Sequence, residues 1–209
     1  MSKKKVIGIP GSSMGDNSFG ANKTYLEFIS NFGNPRIILP WEEKVDVDMI
    51  LLPGGLDVNP ANYGEVPGFY TSNTDVYKDF FMNNRLKAYI DSKTPIFGIC
   101  LGLQQLAVYF GSKLTQNLMY HPQSSSRWAT AHEVYSGIDT KYTVKKHTKE
   151  FKVNSHHHQA VCIDNLSNDL IPLLYSDDST ADGLLVEAFC HKTLPVAAVQ
   201  WHPKLFGAC

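Results

Sequence analysis

The sequence predicts an α/β fold, a mostly parallel and doubly wound sheet with one reactive turn at its edge. Three observations predict it. Short apolar runs recur through the first half, each suited to a strand covered on both faces. Longer stretches with apolar residues at helical spacing separate them. One apolar run, Pro95-Ile96-Phe97-Gly98-Ile99, delivers Cys100 straight into a helical stripe of Leu103, Leu106, Ala107 and Phe110. The resulting order of strand, helix, strand, strand, helix, strand, helix is that of a parallel sheet with helical crossovers.

Residues 5–10 read as the first buried strand, and residues 11–20 as a Gly/Ser/Asn-rich loop at its C-terminal end. In an open α/β sheet that end is the ligand-binding edge. The loop lacks the Gly-Lys-Ser/Thr ending of a phosphate loop. Residues 22–32 form a helix with Tyr25, Phe28, Ile29 and Phe32 on one face, and residues 36–40 a second strand. Met49-Ile50-Leu51-Leu52-Pro53 is a third strand that runs into Gly54-Gly55-Leu56-Asp57. A Pro-Gly-Gly turn leaves backbone N–H groups unshielded, as an oxyanion hole requires. A plain tight turn accounts for the same residues. Residues 57–73 are a loop, and residues 75–90 a helix carrying Met82, Leu86, Tyr89 and Ile90.

Gly98 and Gly102 flank Cys100 at the spacing of a nucleophile elbow, in which a strained strand-to-helix turn pushes the reactive atom out at the top of the sheet. A helix N-terminus behind the sulfur favours the thiolate. A buried structural cysteine is the competing explanation. Gly111 ends the helix. Beyond it the pattern changes. Residues 113–116 read as a short strand, 117–131 as a polar loop, and 132–135 with 142–144 as a short hairpin. Val153-Asn154-Ser155 precedes His156-His157-His158-Gln159. Were this segment a strand, at most His156 and His158 would share a side. No partner lies at a usual ligand spacing, so no metal is expected. Residues 170–176 and 184–189 are further strands, and residues 196–201 a last buried strand that delivers His202-Pro203.

The 209 residues, 1–209, read as one domain of ordinary composition. A formal net charge of −1 offers no bulk attraction to nucleic acid or an anionic membrane. The apolar run after Lys3-Lys4-Lys5 is too short for a signal-peptide core. Cys100, Cys162, Cys190 and Cys209 show no C-x-x-C spacing, and free thiols in a reducing, cytoplasmic setting are expected.

Four segments together resemble the class I glutamine amidotransferase-like superfamily, closest to its gamma-glutamyl hydrolase and gamma-glutamyl-gamma-aminobutyrate hydrolase branch, the peptidase C26-like proteins. They are Ile50 to Gly55 with Asp57-Val58, Pro60 and Tyr63-Gly64-Glu65; residues 95–106; Val153-Asn154-Ser155 with His157-His158-Gln159-Ala160-Val161; and Asp182-Gly183 with Glu187-Ala188, closing on Val199-Gln200-Trp201-His202-Pro203. The resemblance implies a flavodoxin-like three-layer sandwich. It implies Cys100 as nucleophile and His202 as base, with Gly54 or Gly55 and Leu101 lending N–H groups to the oxyanion hole. Gln104 is placed near a glutamyl head group, and His157 and Gln159 on the substrate side. The expected reaction is hydrolysis of a small-molecule gamma-glutamyl amide through a thioester on Cys100, with neither metal nor organic cofactor.

One departure bears on this. The closing motif resembles Gln-Trp-His-Pro-Glu, but Lys204 stands at the glutamate position. A cation there disfavours an imidazolium and cannot accept the N–H bond that sets its tautomer. Asp182 or Glu187 is a replacement carboxylate by type. In the helix before the elbow Asp79 keeps one acidic residue where relatives tend to carry two, which leaves the leaving amine open. Three readings stand: a stand-alone thiol hydrolase, a glutaminase subunit serving a synthetase partner, and a catalytically silent binding module. The assemblies left open are a homodimer and a synthetase complex.

Overall fold

The computed structural model describes residues 4–205 apart from 16, 72, 127, 141–142 and 178–182, with the backbone alone over 137–140 and 143–149. The elements are β1 (Val6–Pro10), β2 (Ser12–Ser13), β3 (Phe19–Gly20), α1 (Lys23–Ser30), β4 (Asn34–Ile38), β5 (Met49–Leu52), α2 (Val76–Asn84), α3 (Leu86–Asp91), β6 (Ile96–Ile99), α4 (Leu101–Tyr109), β7 (His132–Thr140), β8 (Thr143–Val153), β9 (Leu170–Ser176), β10 (Leu185–His191) and β11 (Val196–Val199). Nine strands make one sheet in the order β4-β1-β5-β6-β11-β10-β9-β7-β8. The five from β4 to β11 pair in parallel. The remaining four extend the sheet antiparallel. The α/β class and the mostly parallel core therefore hold.

Alternation along β5 shows why helices cover both faces. Ile50 and Leu52 pack among Phe81, Leu86, Tyr89 and Leu103, whereas Leu51 packs with Tyr25 and Ile29 of α1. Successive side chains thus feed two cores, which explains the unbroken apolar runs. Among the described residues no helix is long and apolar enough to cross a membrane.

The chain leaves β1 outward to β4 and returns on the other side as β5. That reversal makes a topological switch point, where a crevice opens beyond the carboxyl ends of the strands. The sheet register then brings two distant segments together. Val199 pairs with Ile99, and the Cys100 N–H donates to Val199 O at 2.8 Å. The ends of β6 and β11 therefore deliver Cys100 and His202 to one edge.

Several details differ from expectation. The helix predicted over 75–90 is two, parted at Arg85. Asn84 Nδ2 there donates to Phe80 O, a side-chain bond that competes with the helical ladder. Residues 113–116 form no strand; Thr115 makes a single bridge to Ala160. The loop 11–20 contains the small β2–β3 hairpin. The predicted short hairpin is real but longer, with β8 reaching Val153; Tyr142 lies outside the described residues.

Candidate active site

Cys100 occupies φ 54°, ψ −108°, a backbone conformation unusual for a residue with a Cβ. The turn is locked by close packing on both sides. A Cβ on Gly98 would lie 2.6 Å from the carbonyl carbon and oxygen of Gly102, and one on Gly102 would collide with Leu52 O. Only glycine fits either position, so the elbow spacing has a steric cause. Leu103 N–H and Gln104 N–H donate to Cys100 O as α4 begins. The Leu101 N–H is directed to the sulfur and favours its thiolate.

Cys100 is only 5% exposed. Burial pushes its thiol up to about 11, against the pull of the Leu101 N–H and the Lys204 and Lys78 ammonium groups. His202 is held down to about 3, first by burial and then by the charge of Lys204. At neutral pH the two groups are therefore a neutral thiol and a neutral imidazole. Asn154 clamps the histidine backbone from both ends. Its Oδ1 accepts from His202 N–H at 2.8 Å, and its Nδ2 donates to His202 O at 3.0 Å.

Gly54 sits between the two reactive groups. A Cβ there would meet His202 Cε1 at 2.9 Å and Cys100 Cβ at 3.4 Å. Its N–H donates to the Tyr25 hydroxyl at 2.7 Å, and the same hydroxyl lies 3.3 Å from His202 Nδ1. Lys204 does not hang in solvent beside the imidazole; its Nζ stands 3.1 Å from the centroid of the Tyr25 ring. Tyr25 thus fills the ground between the Pro-Gly-Gly turn and His202. Lys78 Nζ donates to Gly54 O at 2.9 Å. Because a peptide is planar and trans, this turns the Gly55 N–H to the opposite side. The crevice beside these groups is a cavity of about 420 Å³, edged by Ser12, Asn22, Tyr25, Lys78, His202 and Lys204.

The other expected site residues lie deeper. Gln104 is buried, and its amide donates to Gln159 O at 2.8 Å. The Gln159 amide donates to Gln116 O. The three adjacent histidines point to three places, because residues 154–159 do not form a strand. His156 packs near His202, with ring centroids 5.8 Å apart. His158 Nε2 lies 3.1 Å from Asp57 Oδ1, which joins the Pro-Gly-Gly segment to the histidine segment. His157, expected on the substrate side, is instead packed against His121, with Nδ1 bonded to Gln159 O. Glu187 is fully buried and faces Ser176 and His132, not His202. Asp182 lies outside the described residues.

Sequence reasoning missed Tyr25, Lys78 and Asn154. Tyr25 read only as one apolar residue of a helical stripe, and nothing local marks where its hydroxyl ends. Asn154 stood inside a quoted segment with no role attached to it.

The Peptidase C26 family model matches residues 5–204. The chain belongs to the Peptidase C26 family. It is 32% identical to the glutamine amidotransferase-like protein YvdE of Lactococcus lactis, over 95% of this chain and 89% of that protein. It is 27% identical to the gamma-glutamyl-CDP-amidate hydrolase of Campylobacter jejuni, over 75% of this chain and 62% of that one. A glutamine amidotransferase of Thermotoga maritima shares the fold, at a TM-score of 0.60 and 13% identity, covering 97% of this chain and 77% of that chain. This C26 chain is thus of the class I glutamine amidotransferase-like superfamily and of hydrolase or amidotransferase type.

Proposed function

We propose that this protein hydrolyses a gamma-glutamyl amide through Cys100, using a Cys-His dyad in which Tyr25 replaces the carboxylate. The observation that carries the reading is the locked elbow. A strained cysteine between two irreplaceable glycines, beside a histidine held by Asn154, is costly to maintain for packing alone.

His202 takes the Sγ proton as the thiolate attacks the gamma-carbonyl carbon. The tetrahedral oxyanion receives N–H groups from Leu101 and Gly55, since the Gly54 N–H is held by Tyr25. Collapse breaks the C–N bond, and His202 returns its proton to the leaving amine. Water, deprotonated by His202, then cleaves the thioester and regenerates the thiol. Tyr25 accepts the Nδ1–H bond in the tautomer this sequence needs. A hydroxyl supports the imidazolium less than a carboxylate does, and Lys204 opposes it. Slow turnover follows. Lys78 and Lys204 at the cavity edge suit the alpha-carboxylate of a glutamyl group.

The test is mass spectrometry after incubation with a diazo-ketone glutamine analogue, on wild type and Cys100→Ala, with iodoacetamide as a general thiol control. Single labelling at Cys100, faster than at Cys162, Cys190 or Cys209, is expected. Labelling of Cys100 no faster than the other three overturns the proposal.

A further inference from the structure

A second polar cluster lies away from the thiol. His121, His132, His157 and Glu187 each present one ligand atom, and these four atoms lie within 4.8 Å of one another. The rings of His132 and His157 each pack against that of His121, with centroids 4.9 and 4.7 Å away. They arrive from four parts of the chain: the loop after α4, the first residue of β7, the segment 154–159, and β10.

The chemistry of the cluster is one-sided. His157 Nδ1 faces Gln159 O at 3.1 Å, and His132 Nδ1 faces Glu133 O at 3.3 Å. A carbonyl only accepts, so each Nδ1 carries the hydrogen, which leaves Nε2 as the ligating nitrogen of each ring. The Ser176 hydroxyl donates to Glu187 Oε1 at 2.8 Å, which orients the carboxylate. His157 Nε2, His132 Nε2 and Glu187 Oε2 are buried with no hydrogen-bond partner among the described residues. His157 is 7% exposed and Glu187 fully buried. Three orphaned acceptors facing one another are unfavourable without something positive between them. One water brings two hydrogens to these three acceptors and leaves one unmet. A cation meets them all.

We propose that His121, His132, His157 and Glu187 bind one divalent cation of the zinc class. Three imidazoles and one carboxylate are a donor set for zinc and similar borderline metals. Bonds of Nδ1 to backbone carbonyls, and of a hydroxyl to the carboxylate, are the outer contacts that fix such ligands. His132 Nε2 and Glu187 Oε1 are already 3.5 Å apart. A tetrahedral zinc sphere needs edges of about 3.3 Å, so the widest pair closes by roughly 1.5 Å on binding. With four protein ligands in a buried cluster the site is closed, and its role is structural. It ties β7 and β10 to the segment whose Asn154 clamps His202. Linear spacing hides it, since only His157 of the triple histidine takes part.

The test uses untagged full-length protein. Metal analysis of the purified chain is expected to find about one zinc per chain. After chelation and cobalt(II) addition, visible absorption bands of a four-coordinate site should saturate at one equivalent. Chelation should lower the melting temperature, and zinc should restore it. His157→Ala and Glu187→Gln should abolish the cobalt bands, whereas His156→Ala and His158→Ala should keep them. Should the His157 and Glu187 variants misfold, His132→Gln with circular dichroism of the folded fraction keeps the test decisive. Absence of both saturable cobalt bands and zinc-dependent stabilisation in wild type overturns the proposal. So does a cobalt site that survives in folded Glu187→Gln and His132→Gln.

Discussion

Two buried polar clusters sit in the two halves of one sheet, and they are furnished with opposite electrical character. Around Cys100, at the parallel edge, stand the ammonium groups of Lys78 and Lys204 and the Leu101 N–H. Around Glu187, in the antiparallel half, stand His132 Nε2, His157 Nε2 and Glu187 Oε2, which offer lone pairs. The first set suits a group that becomes negative, such as a thiolate, an oxyanion or a substrate carboxylate. The second suits a cation. These surroundings also keep Glu187 from standing in for the carboxylate expected at position 204. It already faces Ser176 and His132. Burial raises its carboxyl above the usual range, against the hydrogen bond from Ser176.

The comparison breaks most severely at the elbow. Gly98→Ala places a methyl against the Gly102 carbonyl, and overpacking on rigid backbone costs about 3 kcal/mol. Urea unfolding should show that loss with little change in slope. Cys100 should then label no faster than Cys162 or Cys190.

Lys204→Glu changes the sign of the thiol site. It removes the charge that opposes the imidazolium and supplies an acceptor at the family's usual position. Turnover of a gamma-glutamyl anilide should rise about 10- to 100-fold, well inside the roughly 10⁴ that a misplaced tautomer costs a serine triad. An unchanged or reduced rate would show that Lys204 is not what limits the dyad.

Tyr25→Phe tests the hydroxyl. It removes the acceptor of the His202 Nδ1–H bond and strands the Gly54 N–H, which costs about 1–2 kcal/mol of stability. Thermal melts should fall by a few degrees while labelling by the glutamine analogue slows several-fold. A lowered melting temperature with unchanged labelling of the folded protein would make Tyr25 purely structural.

A smaller effect appears in acid. The folded His202 pKa, about 3, lies below its ordinary 6.5. Stability from keeping it neutral is intact above pH 6.5 and is lost as pH falls from there towards 3. Wild type should therefore lose stability across that window faster than His202→Gln, as read from urea midpoints at stepped pH. His157 is common to both proteins and cancels.

Much of the parallel half was legible because β1, β5, β6 and β11 are apolar on both faces and the helices between them carry repeating apolar positions. Cys100 and His202 were legible for the same reason, each following a buried strand. The antiparallel half was less so. Residues 143–153 carry lysine, histidine and glutamate with little alternation, so only the start of β8 stood out. Tyr25 shows another limit. Its ring belongs to the core pattern, and only the fold reveals that its hydroxyl ends at Gly54 and His202. The histidine cluster was invisible because its four ligands come from segments with no common motif.

The most direct test of the central claim is the pH dependence of Cys100 alkylation by iodoacetamide, followed by peptide mass spectrometry. A neutral thiol beside a neutral imidazole predicts a rate that climbs steadily through pH 7 to 10 towards a midpoint near 11. A plateau reached below pH 8 would mean a resting thiolate–imidazolium pair, and would contradict the account.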